Sequence, residues 1–70
     1  MNKRRRFTLR AGFMSMYYRT WPEIATELVL TYGVSLRAQD TQRVCGLTIG
    51  EQCLLMFNNT GCYVTREKDA

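Results

Sequence analysis

Histidine is absent from this chain, proline occurs once, and no acidic residue precedes position 20. The missing histidine removes the commonest general base and a favoured zinc ligand. Long apolar runs are missing as well. The best is Cys53-Leu54-Leu55-Met56-Phe57, far short of the ~20 residues of a membrane helix. The basic start could serve as the first part of a signal peptide, but Arg10 interrupts any apolar run behind it and no small-residue cleavage site follows. A cytoplasmic protein without membrane contact is therefore expected. Cysteine is scarce and odd in number: Cys45, Cys53 and Cys62, at spacings of eight and nine, match no CxxC or zinc pattern. Free, buried thiols in a reducing compartment are expected, with an intermolecular disulfide as the alternative. Glycines are scattered, so no phosphate-cradling loop exists. Glu23 and Glu27 stand one helical turn apart and read as a solvated face rather than an acid–base pair. No metal or cofactor is expected, and catalysis is not.

What is present is one small domain spanning residues 1–70. Hydrophobic residues make up 46% of the chain, enough for a core and too many for general disorder. Charge is uneven. Lys3, Arg4, Arg5, Arg6, Arg10 and Arg19 fall in the first 19 residues, whereas residues 20–70 carry four bases against six acids. A positive field at one end suggests an anionic partner. Five of the eight aromatics also lie in the first third, at Phe7, Phe13, Tyr17, Tyr18 and Trp21. Arginine neutralises phosphates and exposed aromatics stack on bases. Core filling is the competing role for Phe7, Phe13, Tyr17 and Trp21.

Along the chain, residues 1–5 read as a flexible basic arm. Arg6-Phe7-Thr8-Leu9-Arg10 alternates as a strand does. Leu9, Phe13, Met16 and Tyr17 equally suit a helix, so residues 8–19 stay open between the two. Thr20-Trp21-Pro22-Glu23 forms a capping box with proline in the first turn. Ile24, Ala25, Leu28 and Tyr32 then share a face beside Val29, and Gly33 suits a left-handed C-cap. A helix over about 21–32 follows. Residues 34–43 are ambiguous: Ser35 suits the cap of a short helix, but apolar periodicity is weak.

From Val44 the sequence predicts a three-stranded antiparallel meander, over about 44–49, 52–57 and 62–66. Gly50-Glu51 would turn the first hairpin, and Asn58-Asn59-Thr60-Gly61 the second. Thr48-Ile49-Gly50-Glu51 alternatively caps a short helix. In the meander register one face carries Val44, Thr48, Cys53, Leu55, Phe57, Cys62 and Val64. The other carries Cys45, Leu47, Ile49, Leu54, Met56 and Tyr63. Both faces are apolar, so either other segments cover both or one meets a partner. Cys53 and Cys62 would lie about four residues out of register, too far for a bond. The fold class is α+β, with the helix packed on the meander.

Tyr32-Gly33-Val34-Ser35 resembles the turn of helix-turn-helix proteins, with Arg37, Gln39, Gln42 and Arg43 on the segment behind it. Arginine and glutamine read base edges. Gln39 and Gln42, however, occupy positions that are apolar in that family. The Arg6–Arg10 alternation followed by a helix is similar to ribbon-helix-helix repressors, but the first helix is too long and Asp40 falls at a core position. Neither family is assigned.

These readings predict a small, non-catalytic regulatory protein of prokaryotic or phage type. Its expected partner is DNA or RNA, held by Lys3, Arg4, Arg5, Arg6, Arg10, Arg37, Gln39, Gln42 and Arg43. The alternative is a phage- or plasmid-borne inhibitor that binds a host enzyme or defence complex. Its interface would be Met14, Met16, Tyr17, Tyr18, Leu54, Met56 and Tyr63, since Met and Tyr favour interfaces. A homodimeric structural subunit is the third reading.

Overall fold

A computed structural model describes residues 5–12, 14–57 and 59–68. Lys3 and Arg4 of the basic arm, and Phe13, lie outside them. The element order is β1 (Arg6–Ala11), β2 (Met14–Arg19), α1 (Trp21–Leu30), α2 (Ala38–Cys45), β3 (Gln52–Phe57) and β4 (Thr60–Glu67). The four strands form one antiparallel sheet in the order β2-β1-β4-β3. The first and last strands are therefore the central pair. The molecule is a small α+β domain in two layers, α1 lying against β1 and β2 and α2 against β3.

The first open question resolves to strand. In β1, Phe7 and Leu9 point into the core and Arg10 faces solvent. The helical spacing of Leu9, Phe13, Met16 and Tyr17 loses to the period-2 pattern, because Leu9 and Met16 pair across the β1–β2 hairpin. That hairpin is irregular. Register shifts between Phe7 and Leu9, and Tyr18 takes a left-handed φ of 55°.

Helix α1 starts as its capping box requires. The Glu23 N–H donates to Thr20 Oγ1 at 3.4 Å, and the Thr20 hydroxyl donates to Glu23 Oε1 at 2.8 Å. Trp21, Ile24 and Leu28 are buried, each worth about 2 kcal/mol of apolar transfer. The helix ends at Leu30, two residues before the sequence limit. Gly33 then takes φ +66°, and the Val34 N–H returns to the Leu28 carbonyl at 2.9 Å. Val34 is buried, whereas Tyr32 is exposed.

The meander is half present. Strands β3 and β4 pair as expected, but residues 44–49 form no strand. Val44 and Cys45 close α2, whose only buried side chain is Val44. The reason is local: the Arg37 N–H donates to the Asp40 carboxylate at 3.1 Å and opens a helix that carries the chain to Cys45. Gly50-Glu51 is consequently not a hairpin turn. Thr48 and Glu51 instead close a loop, the Thr48 N–H and hydroxyl both donating to Glu51 Oε1 at 2.7 and 2.6 Å. The loop is tied to the sheet through Gly50 N to Arg66 O and Arg66 N to Glu51 O, each 2.8 Å.

The β3–β4 turn is also shorter than expected. Phe57 pairs with Thr60, leaving positions 58 and 59 between the strands, with Asn59 left-handed at φ 63°. Shortening the loop by two residues moves the register without exchanging the faces. Cys53 now faces Val64 and Cys62 faces Leu55, so the two cysteines are offset by two positions rather than four. All three thiols are free. Cys62 is buried, Cys53 half-buried, and Cys45 exposed rather than buried, because it ends a helix instead of starting a strand.

Neither repressor geometry forms. α2 leans on the sheet and leaves Gln39 and Gln42 exposed, with a Trp21 Nε1–H to Thr41 Oγ1 bond of 3.1 Å tying it to α1. β1 pairs with β2 and β4 of its own chain instead of forming a ribbon with a second copy.

Candidate functional site

Both helices lie on one side of the sheet, so among the described residues the other side is bare. Strand alternation fixes what that bare side carries. Cross-strand pairing sets Ser15, Arg10, Tyr63 and Leu54 in one row across all four strands. Thr8, Thr65 and Gln52 form the next row over β1, β4 and β3. Arg6 and Glu67 pair in the row beyond. Neighbouring strands lie ~4.8 Å apart, so residues in a row are within side-chain reach.

A concavity of about 470 Å³ lies along this surface, lined by Thr8, Arg10, Gln52, Tyr63, Thr65 and Glu67. Its walls are internally bonded at one end, where the Thr8 hydroxyl donates to Glu67 Oε2 at 2.8 Å. Thr65 Oγ1 lies 3.5 Å from Gln52 Oε1. Arg10 is exposed at the other end, beside Tyr63. Tyr63 is 48% exposed, Met56 62% and Tyr17 61%. A face that combines guanidinium, phenol, hydroxyl and amide groups suits a ligand with anionic, aromatic and hydroxylated parts.

The expected nucleic-acid residues are only partly brought together. Arg10 stands on the bare face. Arg6 is engaged at the edge, 3.7 Å from Glu23 and with its guanidinium 5.8 Å from the Tyr18 ring centroid. Arg5 donates to the Cys45 carbonyl at the end of α2. Arg43 donates to the Leu54 carbonyl at 3.0 Å, covering the outer edge of β3. Gln39 and Gln42 are exposed on α2 and do not line the bare face, whereas Arg37 lines a separate concavity with Met56 and Phe57 at the β3 edge. The expected set is thus split between two surfaces, because the segment behind Gly33 docks on the sheet instead of projecting from it.

The expected interface residues divide differently. Leu54, Met56 and Tyr63 share the bare face, and Tyr17 and Tyr18 are exposed on β2. Met16 is a core residue and Met14 packs against the core, since both fall on the helix-covered side. Thr8, Gln52, Thr65 and Glu67 were not singled out in the sequence. The signal that reveals them is the β1–β4 register, which has no local mark.

Two carboxylates are tuned by hydroxyls. The Thr20 hydroxyl bond holds Glu23 below its ordinary range, with Arg6 and Arg19 adding to the effect. The Thr48 hydroxyl and N–H do the same for Glu51. Burial pushes the Cys53 and Cys62 thiols up. Among the described residues no His, Cys, Asp or Glu cluster could hold a metal, and no helix is long and apolar enough to cross a membrane. Comparison with protein-family models, with curated proteins and with solved structures finds no match to this chain.

Proposed function

We propose that the protein is a small, non-catalytic regulator that acts in the cytoplasm by binding nucleic acid. The bare face of its sheet is the contact surface, and the basic N-terminal end adds long-range attraction. The carrying observation is the row Ser15–Arg10–Tyr63–Leu54, which sets an exposed guanidinium beside an exposed aromatic ring on the two central strands. A phosphate group answers the first and a base the second. Strands at the middle of a sheet hold such groups more rigidly than loops do.

Fluorescence anisotropy of labelled RNA and DNA, from low to physiological salt, tests this reading. Affinity should fall with salt, by a slope of about −0.7 per phosphate contact on a single strand. Arg10→Ala should weaken binding and reduce that slope by about one contact. Absence of binding at low salt would overturn the reading.

A second reading is a protein-binding inhibitor carried by a phage or plasmid. It draws on α1, whose outer side exposes Leu30 at 77% and Val29 at 45%. A tight, weakly salt-dependent complex with one host protein would favour it. Stability that rises with protein concentration would favour the homodimer instead.

A further inference from the structure

We infer that the groove on the bare sheet face is built for single-stranded RNA rather than for a duplex, an inference that rests on the nucleic-acid reading above. The groove supplies three kinds of group in adjoining positions. Arg10 offers charge, Tyr63 offers a ring, and Thr8, Thr65 and Gln52 offer a row of hydroxyl and amide groups.

The first two select strand state. A phenol ring binds a base by stacking, and a base inside a duplex has no free face to offer. Tyr63 is on β4, a central strand, where neighbouring β1 and β3 hold its backbone on both sides. A rigid double helix laid on this concave face would meet Arg10 but could not place a base on Tyr63. A splayed single strand can do both. Leu54, next to Tyr63 in the same row, and Met56 widen the apolar surface for an adjacent base.

The third group bears on the sugar. The ribose 2′-hydroxyl both donates and accepts, and it is what distinguishes RNA from DNA at a contact. The row Thr8–Thr65–Gln52 lies one same-face step along the strands from Arg10 and Tyr63, roughly 7 Å away. Side chains of the two rows reach toward one another across that gap, so one nucleotide can touch both. Glu67 closes this end of the groove and already accepts from Thr8. Its carboxylate repels a phosphate there, which sets the phosphate toward Arg10 and the sugar toward the threonines.

The test compares a labelled ten-nucleotide RNA, the DNA of the same sequence, and the matching RNA duplex, each against the full chain at one fixed salt. The RNA single strand should bind at least ten-fold more tightly than the duplex. Tyr63→Ala should lower single-strand affinity about ten-fold and leave duplex affinity unchanged, whereas Tyr63→Phe should keep both. A Thr8→Val, Thr65→Val double variant should narrow the RNA-over-DNA ratio while circular dichroism shows the fold retained. Equal affinity for strand and duplex, or a Tyr63→Ala variant that loses both alike, would overturn this inference yet leave nucleic-acid binding standing. DNA bound as tightly as RNA would overturn the ribose assignment. Failure of every probe to bind would overturn both readings together.

Discussion

Thr20 does two jobs with one oxygen: it accepts from the Glu23 N–H and donates to the Glu23 carboxylate. Thr20→Ala should cost about 1 kcal/mol in urea unfolding, the usual loss for a helix cap. Glu51 depends on Thr48 through two donors, the Thr48 hydroxyl and N–H, both given to its carboxylate. Its folded pKa lies below the ordinary 4.5, so folding favours the charged form. That contribution is present above the ordinary value and is lost as pH falls through the folded one. Thr48→Val should therefore flatten the loss of stability as pH falls below the ordinary glutamate range, measured as urea midpoints. The cysteines offer a separate check. A thiol reagent should modify Cys45 at once, Cys53 slowly, and Cys62 only when the protein unfolds, because burial and a raised pKa both withhold the thiolate.

Elements differ in how plainly the sequence announces them. Helix α1 was legible because its signals are local: a capping box, a proline in the first turn, and Gly33 beyond its end. The faces of β3 and β4 were legible from alternation, which a two-residue change in turn length does not alter. Residues 44–49 misled because Val44, Leu47 and Ile49 look like a strand in isolation. The decisive Arg37–Asp40 contact lies upstream, and α2 buries only Val44. The choice between strand and helix at residues 8–19 could not be settled locally, since both periods fit. Much of the candidate site was hidden for the same reason, because Thr8 and Thr65 meet only through pairing across nearly the whole chain.

Two substitutions probe these elements. Gly50 has φ +90°, a region that side chains rarely adopt, and its N–H anchors the loop to Arg66. Gly50→Ala should destabilise by about 1 kcal/mol, read from thermal or urea midpoints. Strand β3 is an edge made of Gln52-Cys53-Leu54-Leu55-Met56-Phe57, and Arg43 covers one of its carbonyls. An apolar edge of this kind invites pairing between molecules. Arg43→Ala should leave the fold intact and raise light scattering on concentration.

For the molecule as a whole, stability rests on a core too small to spare much. Leu55 is fully buried on β3, and Leu55→Ala should cost about 3 kcal/mol. That is a large share of the total for a domain of this size, so the melting transition should fall steeply. β4 is the hub, pairing with both β1 and β3. Its Thr8–Glu67 contact joins positions 59 apart in sequence. A ribosome that has made the β1–β2 hairpin and α1 has an unfinished sheet with a raw inner edge on β1, and nothing in that nascent piece can cover it. The edge stays open through the synthesis of α2 and β3, and closes only when β4 slots in as the last strand. The central β1–β4 pairing joins distant parts of the chain, so folding has to close a long loop, and the interval before that pairing forms is when the chain is most exposed to chaperones, proteases and its own neighbours.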